Sequence, residues 1–165
     1  MMTIDIRELF VGYLNQLEVI VTKVPDELFP LSLADDMFSL EMNAKIAANF
    51  LLRGYCPLIK VESVSFYSEN SGKSAVLKQI VSTKAYLESA LTLACFDDNE
   101  LITDKAGFNE ICLPQSGFIY QYIIPNFSFH MSMVYAIARA NGTALTKGDY
   151  DGFHSYPNEF SFVAS

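Results

Sequence analysis

The 165-residue sequence predicts an all-α protein, a four-helix bundle with a short irregular or hairpin segment between its third and fourth helices. Three observations carry this expectation. Apolar residues recur at alternating spacings of three and four in four separate stretches, which is the spacing of one helix face. Capping residues, proline or glycine bound those stretches. Finally, 51% of the residues are hydrophobic and only 18% charged, enough apolar surface for one core and too much for a disordered chain.

The first helix occupies the first 24 residues. Ile6, Phe10, Tyr13, Leu17, Ile20 and Val24 form its stripe, with Thr3 as N-cap and Pro25 as the stop. A loop carries Pro30 and Asp35-Asp36, a pair read as capping the next helix and complementing its dipole. That second helix runs through Phe38, Met42, Ile46 and Phe50, supported by Ala47 and Leu51, and closes at Arg53-Gly54. Residues 55–70 read as a connector whose Val61–Phe66 run suits an extended chain.

The third helix spans about Gly72 to Phe96 through Val76, Ile80, Thr83, Leu87, Ala90 and Ala94, and Asp97-Asp98-Asn99 ends it. Between 99 and 120 the helical period is lost. There Ile111, Leu113, Phe118 and Tyr120 flank Pro114-Gln-Ser-Gly117, which reads as the turn of a short hairpin. The fourth helix opens at Pro125-Asn126 with Asn126 as N-cap, carries Phe127, His130, Val134 and Ile137, and closes at Asn141-Gly142. Residues 143–165 still hold Leu145, Tyr150, Phe153, Tyr156, Phe160 and Phe162. So many apolar side chains need a surface to cover, either the bundle or a second subunit. With no repeat and no linker, residues 1–165 are read as one domain with 143–165 as its aromatic extension.

Charge narrows the partners. Eleven Lys and Arg against 19 Asp and Glu give a net charge of −8, which repels phosphates. Nucleic acid and anionic membrane surfaces are therefore not expected as partners. No run reaches about 18 apolar residues, so no segment is expected to span a membrane. The start, MMTIDIRELF, lacks the basic-then-apolar order of a signal peptide. Three scattered cysteines, Cys56, Cys95 and Cys112, make neither a disulfide framework nor a zinc motif. A cytoplasmic protein is expected.

Several stretches carry a family likeness: Asp36-Met-Phe-Ser-Leu40, Ile124-Pro-Asn-Phe-Ser-Phe-His130, Tyr135-Ala-Ile-Ala-Arg139 with Asn141-Gly142, and Lys147-Gly-Asp-Tyr150. Together they resemble an uncharacterised family of bacterial and fungal proteins within the DinB/YfiT-like metalloenzyme superfamily. The likeness covers roughly Ile4 to Gly152, and its most specific part is Pro-Asn-Phe-x-Phe-His with Asn-Gly eleven residues past the His. It implies an up-down-down-up four-helix bundle, often a homodimer, and no known reaction.

The resemblance also implies a divalent metal held by three histidines, one on the second helix and two on the fourth at i, i+4 spacing, which sets both imidazoles on one face. This chain departs from that pattern. Val134 stands four residues after His130, the second helix offers Asn43, Asn49 and Phe50 but no histidine, and the only other one, His154, lies in the tail. No cofactor is expected; a divalent metal would need Glu41 or Asp36 to complete the set.

His130 has two readings. In one it is a core or interface histidine satisfied by a neighbour. In the other it lines a pocket with Tyr13, Asn43 or Tyr135 as polar partners, binding a small molecule or acting as a general base. Other motifs fall short: Asp97, Asp98 and Glu100 lack the closing glutamate of a calcium loop, and Ser71-Gly72-Lys73-Ser74 lacks the upstream glycine of a phosphate loop. Cys56 lacks an activating partner. The expected function is that of a DinB-like protein without the usual metal site, homodimeric and binding a small molecule near His130. The alternative is a metal-dependent, thiol transferase-like enzyme with His130 as a ligand.

Overall fold

A computed structural model describes residues 5–157 and 159–163. The expected N-cap Thr3 lies outside them. Asp5 caps the first helix, α1 (Ile6–Lys23), its carboxylate accepting from the Arg7 N–H at 2.8 Å. Ile6, Phe10, Leu17 and Ile20 are buried as expected, but Leu14 rather than Tyr13 completes the core stripe.

The second helix, α2 (Leu40–Leu58), is capped by Ser39, which accepts from the Met42 N–H, while Asp35 and Asp36 sit exposed in the preceding turns. Phe38 therefore precedes the helix and is exposed. The helix also continues past Gly54 through Pro57. Gly54 is a packing residue, not a terminator: a Cβ there would lie 2.7 Å from Ile123 Cγ2.

The third helix, α3 (Lys73–Ser89), buries the expected Val76, Ile80, Thr83 and Leu87 but stops seven residues short of Phe96. The reason lies in side chains that take its next carbonyls: Arg7 donates to Ala90 O at 3.1 Å and Tyr55 to Leu91 O at 2.6 Å. The Val61–Phe66 run forms no strand.

A hairpin does follow, though not where the sequence placed it. Strands β1 (Leu101–Ala106) and β2 (Asn109–Pro114) pair antiparallel, Leu101 against Pro114 and Ala106 against Asn109, so the turn is Gly107-Phe108. Pro114 instead precedes a helical start. A three-residue α4 (Gln115–Gly117), a π-helical segment (Phe118–Ile123) and α5 (Ile124–Ala140) follow one another without leaving the helical region. Asp98 caps this start, accepting from both the Ser116 N–H and hydroxyl. Asn126 is thus no cap; it donates to Tyr122 O, one turn back. A short α6 (Lys147–Asp151) closes the fold.

Side-chain contacts fix the helix directions. Lys73, at the start of α3, reaches Thr22 O at the end of α1, so these two run antiparallel. Gln79 bonds Lys45 O while Cys56 Sγ meets Tyr86 at 4.0 Å, so α2 and α3 run parallel. Asn43 meets His130 whereas Gly54 meets Ile123, so α2 opposes α5 and its π-helical lead-in. The core is the space these helices enclose. The plain four-helix bundle needs correction: the chain is mostly helical, but with additional short helices and a two-stranded sheet. No helix among the described residues is long and apolar enough to cross a membrane.

Candidate functional site

Helix α5 turns His130 toward α2, where the ring is almost wholly buried. Its Nδ1 lies 2.8 Å from Asn43 Oδ1. The orientation of that amide is fixed by its other end: Asn43 Nδ2 donates to Phe38 O at 3.0 Å and Ser39 O at 2.9 Å, the carbonyls just ahead of α2. With both N–H groups spent on carbonyls, Asn43 can offer His130 only its oxygen. His130 must then donate from Nδ1–H, which in the neutral ring leaves Nε2 as a lone pair.

Burial lowers the His130 pKa from its ordinary 6.5, so the neutral ring is the form present at pH 7. Phe50 stacks against it at 5.8 Å and Phe129 meets it edge-on at 5.2 Å. Nε2 has no hydrogen-bond partner among the described residues. It is also not one of the sealed, unpartnered polar atoms, which are Asn49 Oδ1, Gln79 Oε1 and Thr143 Oγ1. In the neutral ring Nε2 keeps its lone pair, the acceptor or base that the couple leaves over.

Of the three polar partners expected for His130 (Tyr13, Asn43 or Tyr135), Asn43 is the one that meets it. His130 and Asn43 form the pair just described. Tyr13 lies on α1, stacked on Phe127 at 5.2 Å and facing a different groove. Burial first, then Tyr150 and Tyr120, push its hydroxyl pKa up, so it remains a protonated donor at neutral pH. Tyr135 packs edge-on against Tyr150 at 6.1 Å and donates to Leu145 O. What the sequence did not flag is the role of the Phe38 and Ser39 carbonyls, since a backbone acceptor leaves no compositional trace.

Do these residues fit a three-histidine ion? One turn after His130, Val134 is fully buried and apolar, and Asn43 has its amide committed as above. Glu41 is used elsewhere, pairing with Lys45 at 2.7 Å and accepting from the Gly72 N–H. Asp36 is exposed in its turn, and His154 is bonded to Asp151 in the tail. The donor set does not fit. Among the described residues, no three His, Cys, Asp or Glu side chains converge on a point.

The family model described as "Domain of unknown function (DUF1993)" matches residues 10–151. The chain belongs to the DUF1993 family. No curated protein matches it. Among solved structures it is similar to a DinB family member protein from Shewanella denitrificans, with a TM-score of 0.69 and 22% identity over 92% of each chain. At that identity the likeness speaks for the fold. This DUF1993 chain thus shares a mostly helical fold with a DinB family member, and its second and fifth helices carry the Asn43–His130 couple.

Proposed function

We propose that this DUF1993 protein is a small-molecule-binding protein on a DinB-like scaffold, working without a three-histidine metal site. The Asn43–His130 hydrogen bond carries the reading, because it fixes the tautomer that leaves Nε2 unprotonated. A ligand bearing a hydroxyl, amide or ammonium donor would be held by that nitrogen, and an acidic proton on it would be abstracted there. Phe50 and Phe129 supply the apolar sides of the site.

Elemental analysis of protein purified without a histidine tag tests this. The expected result is less than stoichiometric metal in the wild type and no change in His130→Ala. Stoichiometric zinc, nickel or manganese that disappears in His130→Ala would contradict it and favour the metal-dependent transferase reading. The homodimer and the cytoplasmic location belong to the same proposal. For the dimer, support comes from Phe153, Phe162 and Val163, each more than three-quarters exposed at the end of the chain. Light scattering of the full chain and of one ending at residue 152 reads that surface; an unchanged mass per particle removes the tail from it.

A further inference from the structure

On the flank of α5 that faces α1 lies a groove of about 480 Å³ bounded by α1, α5 and α6. Its floor is apolar, made by Leu9, Phe127 and Met131, the last two nearly fully buried. Tyr13 lies almost parallel to Phe127, 12° between ring planes, and Tyr150 and Phe153 stand on the α6 side. The groove therefore has aromatic faces on two sides.

Gly12 opens its mouth. It sits inside α1, where glycine costs about 0.5–1 kcal/mol relative to alanine. A Cβ built there meets nothing within 4 Å, so no neighbour requires the missing side chain. Its physical consequence is an unblocked opening beside Tyr13.

The polar lining has one sign. Glu8 and Asp151 border the groove, and neither lysine nor arginine is among its lining residues. Asp151 accepts from the Phe153 and His154 N–H groups and bonds the His154 ring, which holds its carboxyl ionised down to about 2. Glu8 has no partner among the described residues and is free to pair with a guest. So are the Gln16 and Ser128 side chains and the Tyr13 hydroxyl.

We propose that this groove is a binding site for a small organic cation, a primary ammonium carried on a flat, aromatic-sized body. The body sits in the groove beside Leu9 and the rings of Tyr13, Tyr150 and Phe153, and the ammonium meets the Glu8 carboxylate with Gln16 and Ser128 oxygens as further acceptors. The overall charge of −8 draws cations toward the surface and repels the matching anions. The site uses none of the residues of the His130 couple, so either assignment can fail without the other.

Two-dimensional NMR of the full chain, titrated with 2-phenylethylammonium and separately with the anion 3-phenylpropionate, tests the proposal. The cation is expected to shift amides of α1, α5 and α6 around the groove saturably, and the anion to leave them unmoved. Gly12→Leu should cut affinity at least about tenfold while the melting temperature holds or rises, since leucine is the better helix former. Glu8→Gln should weaken the cation about fivefold. Equal binding of cation and anion, shifts confined to residues around His130, an unchanged affinity in Gly12→Leu, or no saturable shift up to on the order of 10 mM would each overturn it.

Discussion

Asn43 and His130 hold each other in one arrangement, and single substitutions expose how. Asn43→Ala would leave the His130 Nδ1–H and the Phe38 carbonyl without their partner, while the Ser39 carbonyl keeps the backbone N–H of residue 43. Unpaired groups of this burial cost roughly 1–3 kcal/mol, so chemical denaturation should show a loss of that size with little change in slope. Titration gives an independent view of the ring. Because the folded pKa lies below 6.5, the unfolded chain takes up the proton first as pH falls. The stability this ring contributes is thus whole above about pH 6.5 and declines below it until the folded ring also protonates. Relative to His130→Gln, the wild type should lose unfolding free energy between about pH 7.5 and 5, and a pH-independent difference would contradict the buried neutral ring.

Helix α2 meets the π-helical segment at Gly54, and that contact sets how closely α5 approaches. A methyl group at Gly54 would fall within 3 Å of two Ile123 carbons, on a branched side chain with little room to swing away. Gly54→Ala should therefore destabilise by about 1–3 kcal/mol despite alanine's higher helix propensity, and the double variant with Ile123→Ala should lose less than the sum of the two single losses. A stability gain in the single variant would show that the approach is slack.

The same contact shows what the sequence can and cannot convey. The stripes of α1 and α3 were legible because burial there repeats with the helical period: Phe10, Leu17, Val76, Ile80 and Leu87 all face the core. Gly54 has the local look of a helix end, and only Ile123, distant in sequence, makes it an interior packing residue. Likewise Pro114 and Gly117 carry turn chemistry, yet Pro114 precedes a helix capped by Asp98 from across the hairpin. The end of α3 depends on Arg7 and Tyr55 reaching over from two other helices. Long-range partners of this kind leave no periodic signal. At the site, His130 and Asn43 were both recognisable as candidates, whereas Tyr13 and Tyr135 face elsewhere on the molecule.

Taken whole, the molecule joins a DinB-type helical scaffold to a couple that leaves one imidazole nitrogen free. Its directions (α1 against α3, α2 with α3, α2 against α5) bring the start of α2 to the middle of α5, which is why Asn43 and His130 meet. The protonation of that one ring decides what the couple can do. Long-range proton–nitrogen correlation NMR on uniformly ¹⁵N-labelled protein at pH 7, with His130 assigned through His130→Gln, reads it directly. Nδ1 is expected to be protonated and Nε2 unprotonated, unaltered by added chelator. An Nε2–H tautomer, a doubly protonated ring, or a nitrogen signal that changes when chelator strips a metal would contradict it.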